Sequence, residues 1–330
     1  MKKLFLLLLI PFLSCKENTP NYNTKLTGTI ENAKDSSVIY LTDFYFKDVG
    51  GYVDSSHVIN NKFEFKFDLN EPRNFLLSGS KSFKHFVISA GDTELLIENY
   101  DSIQNLKITN GSSETKEAEE YFQIHGYENN MDYLKENPAS FISLNMLWED
   151  RFVISKTELE DYYNILSDKW KYITHAKDIE HALAVNYTPE IGVKFLDFEL
   201  KDANDKVVSL SDFKDKFLLI EFTATWCGPC IAQIPFQKSA YAKFNDKDFE
   251  ILHIYIEDKE TMVKNIKKHQ TPWKSVYAPK KFRSNIAMNN RVYYLPNMFL
   301  LDKNHKIIGT TLNPVLMMDG LEKVLHETIK

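Results

Sequence analysis

The sequence predicts an α/β domain in its C-terminal part, preceded by a small all-β sandwich domain and a helical segment. Three observations support this prediction. Short runs of strand composition fill residues 25–111, apolar residues at helical spacing follow in residues 112–188, and residues 189–330 mix buried strands with amphipathic helices. A chain of 330 residues is long enough for two or more such domains.

Residues 1–14 are predicted to be a secretory signal, because a short cationic start is followed by an apolar stretch that is short for a membrane span. The stretch ends at Ser14-Cys15, which resembles a bacterial lipoprotein cleavage site and implies lipidation of Cys15. A plain signal peptide or an uncleaved anchor is the alternative. The polar residues 15–24 are expected to be a tether. In lipoproteins of this kind, Asp after the cysteine implies retention at the inner membrane, and this chain has Lys16 instead. We therefore expect the protein on the outer membrane, facing the periplasm. Exposure on the cell surface is the alternative.

Residues 25–111 are predicted to form the β-sandwich domain. Residues 62–67 alternate strictly between apolar and charged side chains, which is typical of a half-buried strand. Turn residues such as Asn60-Asn61 separate the runs. Six or more short strands of this kind imply a small sandwich. Strands are expected at residues 27–30, 37–41, 62–67, 75–77, 86–88, 93–97 and 106–108.

Residues 112–188 are predicted to contain four or five helices. Glu and Lys become more frequent here, and apolar residues recur at helical spacing. Pro138 suits the first turn of one helix, and Ser155 with Glu158 has the spacing of a capping box at the start of another.

Residues 189–330 are predicted to form the α/β domain. A hairpin is expected across Asp205, and a nearly continuous apolar run at residues 217–223 predicts a buried strand. The remaining expected elements are a helix at 229–243, a strand at 249–256, a helix at 259–269, a hairpin with strands at 298–301 and 306–309, and a closing helix at 316–329.

Composition narrows the possible partners of the protein. The chain has 40 Lys and Arg against 46 Asp and Glu, a formal net charge of −6. This balance argues against nucleic-acid binding and against electrostatic docking on anionic lipid, so membrane contact is expected through the lipid anchor alone. If Cys15 is acylated, Cys227 and Cys230 are the two thiols left in the chain.

Residues 226–230 read Trp-Cys-Gly-Pro-Cys and lie where the predicted strand gives way to a helix. Cys227 would lie beside unpaired N–H groups and the positive end of the helix dipole, which favour thiolate over thiol. A thiolate is the nucleophile in disulfide exchange, and the two-residue spacer lets Cys230 close a disulfide with Cys227.

Other uses of the cysteine pair fit the sequence less well. Structural zinc needs about four ligands, and no His-x-x-x-His follows the pair. Covalent haem needs His in the place of Ile231. A peroxiredoxin-type peroxidase has Thr in the place of Ala224. A purely structural disulfide remains possible, although so short a loop would contribute little stability. We therefore expect neither metal nor cofactor.

Residues from about 190 to the end resemble the thioredoxin-like TlpA/ResA group of envelope thiol–disulfide oxidoreductases. The resemblance rests on residues 195–200, 208–213 and 222–230 and on Leu295-Pro296. It implies a thioredoxin-like fold with Cys227 as the attacking thiolate and Cys230 as the resolving thiol. It also places Trp226 beside the pair and Pro296 where the family has a cis-proline facing the disulfide, with an ordinary trans proline as the alternative.

Glu221 is the candidate acid–base residue. It lies six residues before Cys227, where thioredoxin has a buried acid, and a carboxylate in an apolar strand should have a raised pKa. It could then exchange the Cys230 proton near neutral pH. The alternative is that strand alternation points Glu221 to solvent. Many relatives carry Glu three residues after the second cysteine, where this chain has Gln233, which cannot titrate.

The resulting functional prediction is thiol–disulfide exchange on protein substrates in the bacterial cell envelope. Reduction is the expected direction, because the Gly-Pro spacer matches thioredoxin, at about −270 mV, rather than strongly oxidising relatives near −120 mV. A reductase outside the cytosol would need an upstream membrane redox partner. A disulfide oxidase or isomerase is one alternative, and a surface lipoprotein that binds a ligand through its β domain is another.

Overall fold

The computed structural model describes residues 22–43, 53–126, 129–312 and 315–329. The predicted signal, Cys15 and most of the predicted tether lie outside these residues. Within the described part of the chain, no helix has the length and apolar character needed to cross a membrane.

The N-terminal region is a sandwich of two four-stranded sheets, with the strand orders β4-β1-β7-β8 and β3-β2-β5-β6. Side chains from both sheets, such as Leu26 and Phe75, meet in one apolar core. The alternation of residues 62–67 is reproduced, since every second side chain of that strand is buried. The strands are β1 (Thr24–Ile30), β2 (Val38–Asp43), β3 (Val53–His57), β4 (Lys62–Phe67), β5 (Arg73–Ser78), β6 (Phe83–Ile88), β7 (Gly91–Ile97) and β8 (Lys107–Asn110).

The strand β3 was not among the predicted strands. It pairs antiparallel with β2, and its sequence, Val-Asp-Ser-Ser-His, lacks the apolar alternation on which the prediction depended. Backbone pairing with β2, rather than a periodic pattern of apolar residues, therefore defines this strand.

Five α-helices follow in the described residues of the helical segment. They pack around an apolar core that also takes in Val87 from β6, so the helices cover the outer face of the second sheet. The capping box of Ser155 and Glu158 is confirmed. The role of Pro138 was predicted wrongly: the helix begins at Phe141, because Ser140 caps its N-terminus. The helices are α1 (Ser113–His125), α2 (Met131–Glu136), α3 (Phe141–Asp150), α4 (Lys156–Ile165) and α5 (Thr174–Ala184).

The C-terminal region is an α/β domain with a seven-stranded sheet of order β10-β9-β13-β12-β11-β14-β15. The strand β11, which lies inside this sheet, pairs parallel with β12 and antiparallel with β14. The fold class predicted from the sequence is confirmed. The strands are β9 (Glu199–Asp202), β10 (Val207–Ser209), β11 (Phe217–Thr223), β12 (Phe249–Tyr255), β13 (Lys274–Tyr277), β14 (Asn297–Leu301) and β15 (Ile307–Thr310).

Helices cover both faces of this sheet. One apolar core lies between the sheet and the pair α6 and α9, and a second core on the opposite face includes residues of α8. The prediction missed β13 and α8, which span four and five residues and are too short for a periodic signal. The closing helix is shorter than predicted and begins at Gly320. The helices are α6 (Gly228–Phe244), α7 (Lys259–His269), α8 (Asn285–Asn289) and α9 (Gly320–Thr328).

Candidate functional site

The two cysteines lie at the N-terminus of α6, directly after β11. Cys227 is the N-cap of the helix, and its Sγ accepts a hydrogen bond of 3.2 Å from the backbone N–H of Cys230. Cys227 and Cys230 form a disulfide with a Cα–Cα distance of 5.2 Å. Pro229 is in the first helical turn, where a missing N–H leaves no hydrogen bond broken. The strand-to-helix junction predicted from the sequence is therefore present.

The disulfide is set in an apolar cluster. Cys227 and Cys230 are 4% and 1% exposed, and they pack with Ala224 and Leu295. Trp226 beside them is 51% exposed. A reacting partner therefore approaches the buried sulfurs across a surface on which a large aromatic side chain is already presented to solvent.

Pro296 lies at the start of β14, next to β11 in the sheet. The Leu295–Pro296 peptide bond is cis, as the resemblance implied, and the Pro296 ring is buried. Leu295 packs against the disulfide cluster, so the loop before β14 and the N-terminus of α6 meet at the cysteine pair.

Glu221 is fully buried on β11 and does not point to solvent. Gln237 of α6 donates a hydrogen bond to its carboxylate. Burial raises the pKa of Glu221 to about 8, and hydrogen bonds from Gln237 and Thr223 oppose that rise. At pH 7 most Glu221 side chains therefore carry a proton and a minor fraction is ionised, so this residue can either supply or accept a proton near neutral pH.

Gln237 joins Glu221 to a buried histidine on the neighbouring strand. The Nε2 atom of His253 lies 3.0 Å from Oε1 of Gln237 and 3.4 Å from the Glu221 carboxylate. Burial lowers the pKa of His253 to about 3, so its imidazole is neutral at pH 7. The side chains of Gln237 and His253 that contact Glu221 are thus polar but uncharged, so neither of them lowers its pKa through a positive charge.

Gln233 makes a hydrogen bond to the backbone between α6 and α9. Its side chain is buried, and its Oε1 accepts a hydrogen bond of 2.6 Å from the backbone N–H of Met318. The side chain therefore ties α6 to the segment before α9.

Glu257, which follows β12, was not predicted as a site residue from the sequence. Its buried carboxylate accepts hydrogen bonds of 2.7 Å from both the backbone N–H and the hydroxyl of Thr225. Thr225 lies two residues before Cys227, so Glu257 holds the loop that carries the cysteine. The available signal was an acid directly after a buried strand, at the sheet edge where parallel strands end.

In the described ranges, no three His, Cys, Asp or Glu side chains are arranged to hold a metal ion. The chemistry that these residues support is thiol–disulfide exchange by the cysteine pair itself.

The N-terminal and C-terminal parts of the chain match two different protein families. Residues 190–325 match the family model described as Redoxin, and residues 24–133 match one described as a domain of unknown function, DUF4369. The thiol-disulfide oxidoreductase ResA of Bacillus thuringiensis subsp. konkukian is 34% identical over 119 residues, which cover 36% of this chain and 68% of that protein. ResA of Bacillus subtilis is 34% identical over 71 residues, which cover 22% of this chain and 40% of that protein.

Solved structures also match part of the chain. A thiol-disulfide oxidoreductase from Bacteroides fragilis is 25% identical, with a TM-score of 0.38 over 41% of this chain and 99% of that chain. A thiol:disulfide interchange protein from a Bacteroides species is 23% identical, with a TM-score of 0.39 over 42% of this chain and 90% of that chain.

The α/β fold and the cysteine pair at a helix N-terminus define a thiol–disulfide oxidoreductase with a thioredoxin-like domain. The chain belongs to the family of TlpA/ResA-like thiol–disulfide oxidoreductases.

Proposed function

We propose that this oxidoreductase is a dithiol reductase for disulfide-bonded proteins of the bacterial cell envelope. The observation that carries the proposal is the position of Cys227, at the N-terminus of α6 and at the edge of an apolar cluster beside the exposed Trp226. The helix N-terminus favours the thiolate of Cys227, and the more deeply buried Cys230 is suited to attack from within.

The reaction transfers two electrons to the substrate in two exchange steps. The thiolate of Cys227 attacks one sulfur of the substrate disulfide, which breaks that bond, forms a mixed disulfide and releases the first substrate thiolate. The thiolate of Cys230 then attacks Cys227 Sγ, which forms the Cys227–Cys230 disulfide and releases the second substrate thiolate. The protein is oxidised and the substrate is reduced.

Glu221 is the proposed acceptor of the Cys230 proton in the second step. Cys230 and Gln237 are seven residues apart on α6 and therefore lie on one face of the helix. Gln237 contacts the Glu221 carboxylate, and this contact supports a path for the proton along the face of α6 that carries Cys230. A carboxyl group with a pKa of about 8 is matched to proton exchange with a thiol near neutral pH.

Reduction requires an upstream donor of two electrons. We assign the role of electron donor to a membrane-bound dithiol partner that reduces the Cys227–Cys230 disulfide after each cycle.

Lipidation of Cys15 would keep the protein at a membrane surface, with the outer membrane facing the periplasm as the proposed site. Mass spectrometry of the mature N-terminus checks this proposal, and an unmodified Cys15 contradicts it.

Disulfide trapping tests the proposed roles of the two cysteines. In Cys230→Ser, the first exchange step should proceed and the second should not, so mixed disulfides with substrate proteins should accumulate at Cys227. The variant that carries both Cys227→Ser and Cys230→Ser is the matched control and should accumulate no mixed disulfides. Equal trapping by both variants would contradict the assignment of Cys227 as the attacking residue.

A further inference from the structure

Exposed aromatic side chains form two groups near the disulfide, a first side around Trp226 and a second side around Tyr293 and Tyr294. On one side, Trp226 is 51% exposed, and its ring centroid lies 6.4 Å from that of Phe282. On the other side, Tyr293 and Tyr294 are 40% and 37% exposed and immediately precede Leu295, which contacts the disulfide cluster. The opening to Cys227 is therefore bordered by large apolar surfaces, of the kind that protein interfaces bury.

The helical segment extends the second of these sides. Phe152 follows α3, and its ring stacks on that of Tyr293 with centroids 5.8 Å apart and an interplanar angle of 29°. The guanidinium of Arg151 lies 4.6 Å from the Phe152 ring centroid and 4.2 Å from that of Trp148. Phe152 is half-buried between these neighbours, so its remaining surface continues the surface of Tyr293.

A partly buried ion pair fixes the helical segment against the first side. Asp178 of α5 is 5% exposed and accepts hydrogen bonds of 2.7 Å from Arg283 and 2.9 Å from the indole N–H of Trp148. Arg283 directly follows Phe282, the aromatic neighbour of Trp226. Charge-assisted bonds of this kind are short and directional, so the helical segment is held in a defined position beside the redox site.

We infer that Phe152 is part of the substrate-binding surface of this oxidoreductase and contacts the protein segment that flanks the reacting disulfide. The inference rests on the proposed function and adds to it a substrate class: proteins with an apolar segment next to their disulfide. A protein that reacts at the buried Cys227 must lie across this bordering surface, because the disulfide is 4% exposed at Cys227 and 1% at Cys230. A small disulfide needs contact only with the sulfur.

Substitution of Phe152 distinguishes these two kinds of substrate. The pre-reduced full chain is mixed with insulin as the protein disulfide and with hydroxyethyl disulfide as the small one, and second-order rate constants are measured. Phe152→Ala should lower the rate constant for insulin about fivefold to tenfold, in line with the loss of one aromatic contact. The rate constant for hydroxyethyl disulfide should not change.

Two further variants serve as controls. Phe152→Tyr keeps the ring and should restore the rate with insulin, whereas Val153→Ala changes the next residue, which is 64% exposed, and should have no effect. An unchanged rate with insulin in Phe152→Ala, or an equal loss with both disulfides, would overturn the inference. A wild-type chain that reduced neither disulfide would contradict the proposed function and the inference with it.

Discussion

The β-sandwich and the α/β domain differ in how their strands are buried. Along β4, Phe63, Phe65 and Phe67 are buried while the residues between them are exposed. Along β11, every residue after Phe217 is buried, whichever face of the sheet it is on. A polar residue on β4 therefore meets water, whereas Glu221 on β11 can exist only with partners inside the protein. A charged residue type inside a doubly buried strand is consequently a stronger sign of function than one in an alternating strand.

The two regions also differ in how they accommodate a buried carboxylate. In the sandwich, the fully buried Asp43 is paired with the guanidinium of Arg73 at 2.9 Å. In the α/β domain, Glu221 has an amide and a neutral imidazole as neighbours, and its pKa rises to about 8. A cation stabilises a permanent charge, whereas neutral partners leave a proton that can move near neutral pH.

The largest effect should come from the thiolate itself. Cys227→Ser should abolish disulfide reduction, because a hydroxyl does not ionise at neutral pH to give a comparable nucleophile. Single-turnover assays with insulin check this, with Cys230→Ser as the comparison, since that variant keeps the first exchange step. Residual turnover in Cys227→Ser would show that Cys230 attacks instead.

A core substitution in the sandwich should affect stability without affecting the chemistry. Phe75 is fully buried, and its ring centroid lies 5.4 Å from that of Phe67. Phe75→Ala should lower the free energy of unfolding of the sandwich by about 3–5 kcal/mol. Denaturant titration measures the loss. The rate with hydroxyethyl disulfide should stay at the wild-type value, and a parallel fall in that rate would mean that the two regions are not separable in function.

Loss of the titratable group at Glu221 should slow the second exchange step. Glu221→Gln should reduce the rate of mixed-disulfide release at pH 7 by about 10²-fold, the lower end of general acid–base effects. Higher pH should restore part of the rate, because Cys230 then ionises without help. Gln233→Ala is the control, since that amide contacts Met318 and should leave the pH profile unchanged. An unaltered profile in Glu221→Gln would remove this acid from the mechanism.

A smaller effect should appear in the pH dependence of stability. The pKa of Glu221 is raised from 4.5 to about 8. The contribution of Glu221 to the free energy of unfolding is therefore complete below pH 4.5 and is lost as pH rises through 8. The pKa of His253 is lowered from 6.5 to about 3, so its contribution is full above pH 6.5 and declines as pH falls. Of these two effects, only the Glu221 decline operates between pH 6.5 and 8, with a slope of about 1.4 kcal/mol per pH unit that becomes smaller as pH approaches 8.

Urea unfolding of the oxidised protein checks this dependence, because disulfide-bonded cysteines do not titrate. Glu221→Gln should flatten the decline between pH 6.5 and 8. The same slope in both proteins would show that Glu221 is ionised at neutral pH and that its neighbours are not the neutral groups described here.

The best-predicted elements are those with a recognisable local pattern of residues in the sequence. Strict alternation marked β4, a continuous apolar run marked β11, and the capping box at Ser155 marked the start of α4. The strand β13 was missed, since it spans only four residues and is held by neighbouring strands on both sides. Tertiary pairing, rather than local composition, determines such an element.

The residues of the candidate site also differ in whether the local sequence could predict them. Cys227 and Cys230 could be found from their spacing, and Glu221 from its place in an apolar strand. Glu257 could not be found in this way, because its role depends on a contact with Thr225, 32 positions away in the chain. His253 and Gln237 likewise become neighbours only when β12 and α6 pack beside β11. Residues that act through such distant contacts leave no local signal.

The reduction potential of the Cys227–Cys230 disulfide tests the central claim most directly. Equilibration of the full chain with thiol redox buffers, followed by alkylation and mass analysis, gives this potential. A dithiol reductase with a Gly-Pro spacer should have a value near the thioredoxin potential of about −270 mV. A value near −120 mV would instead identify an oxidase and contradict the proposed direction of electron flow.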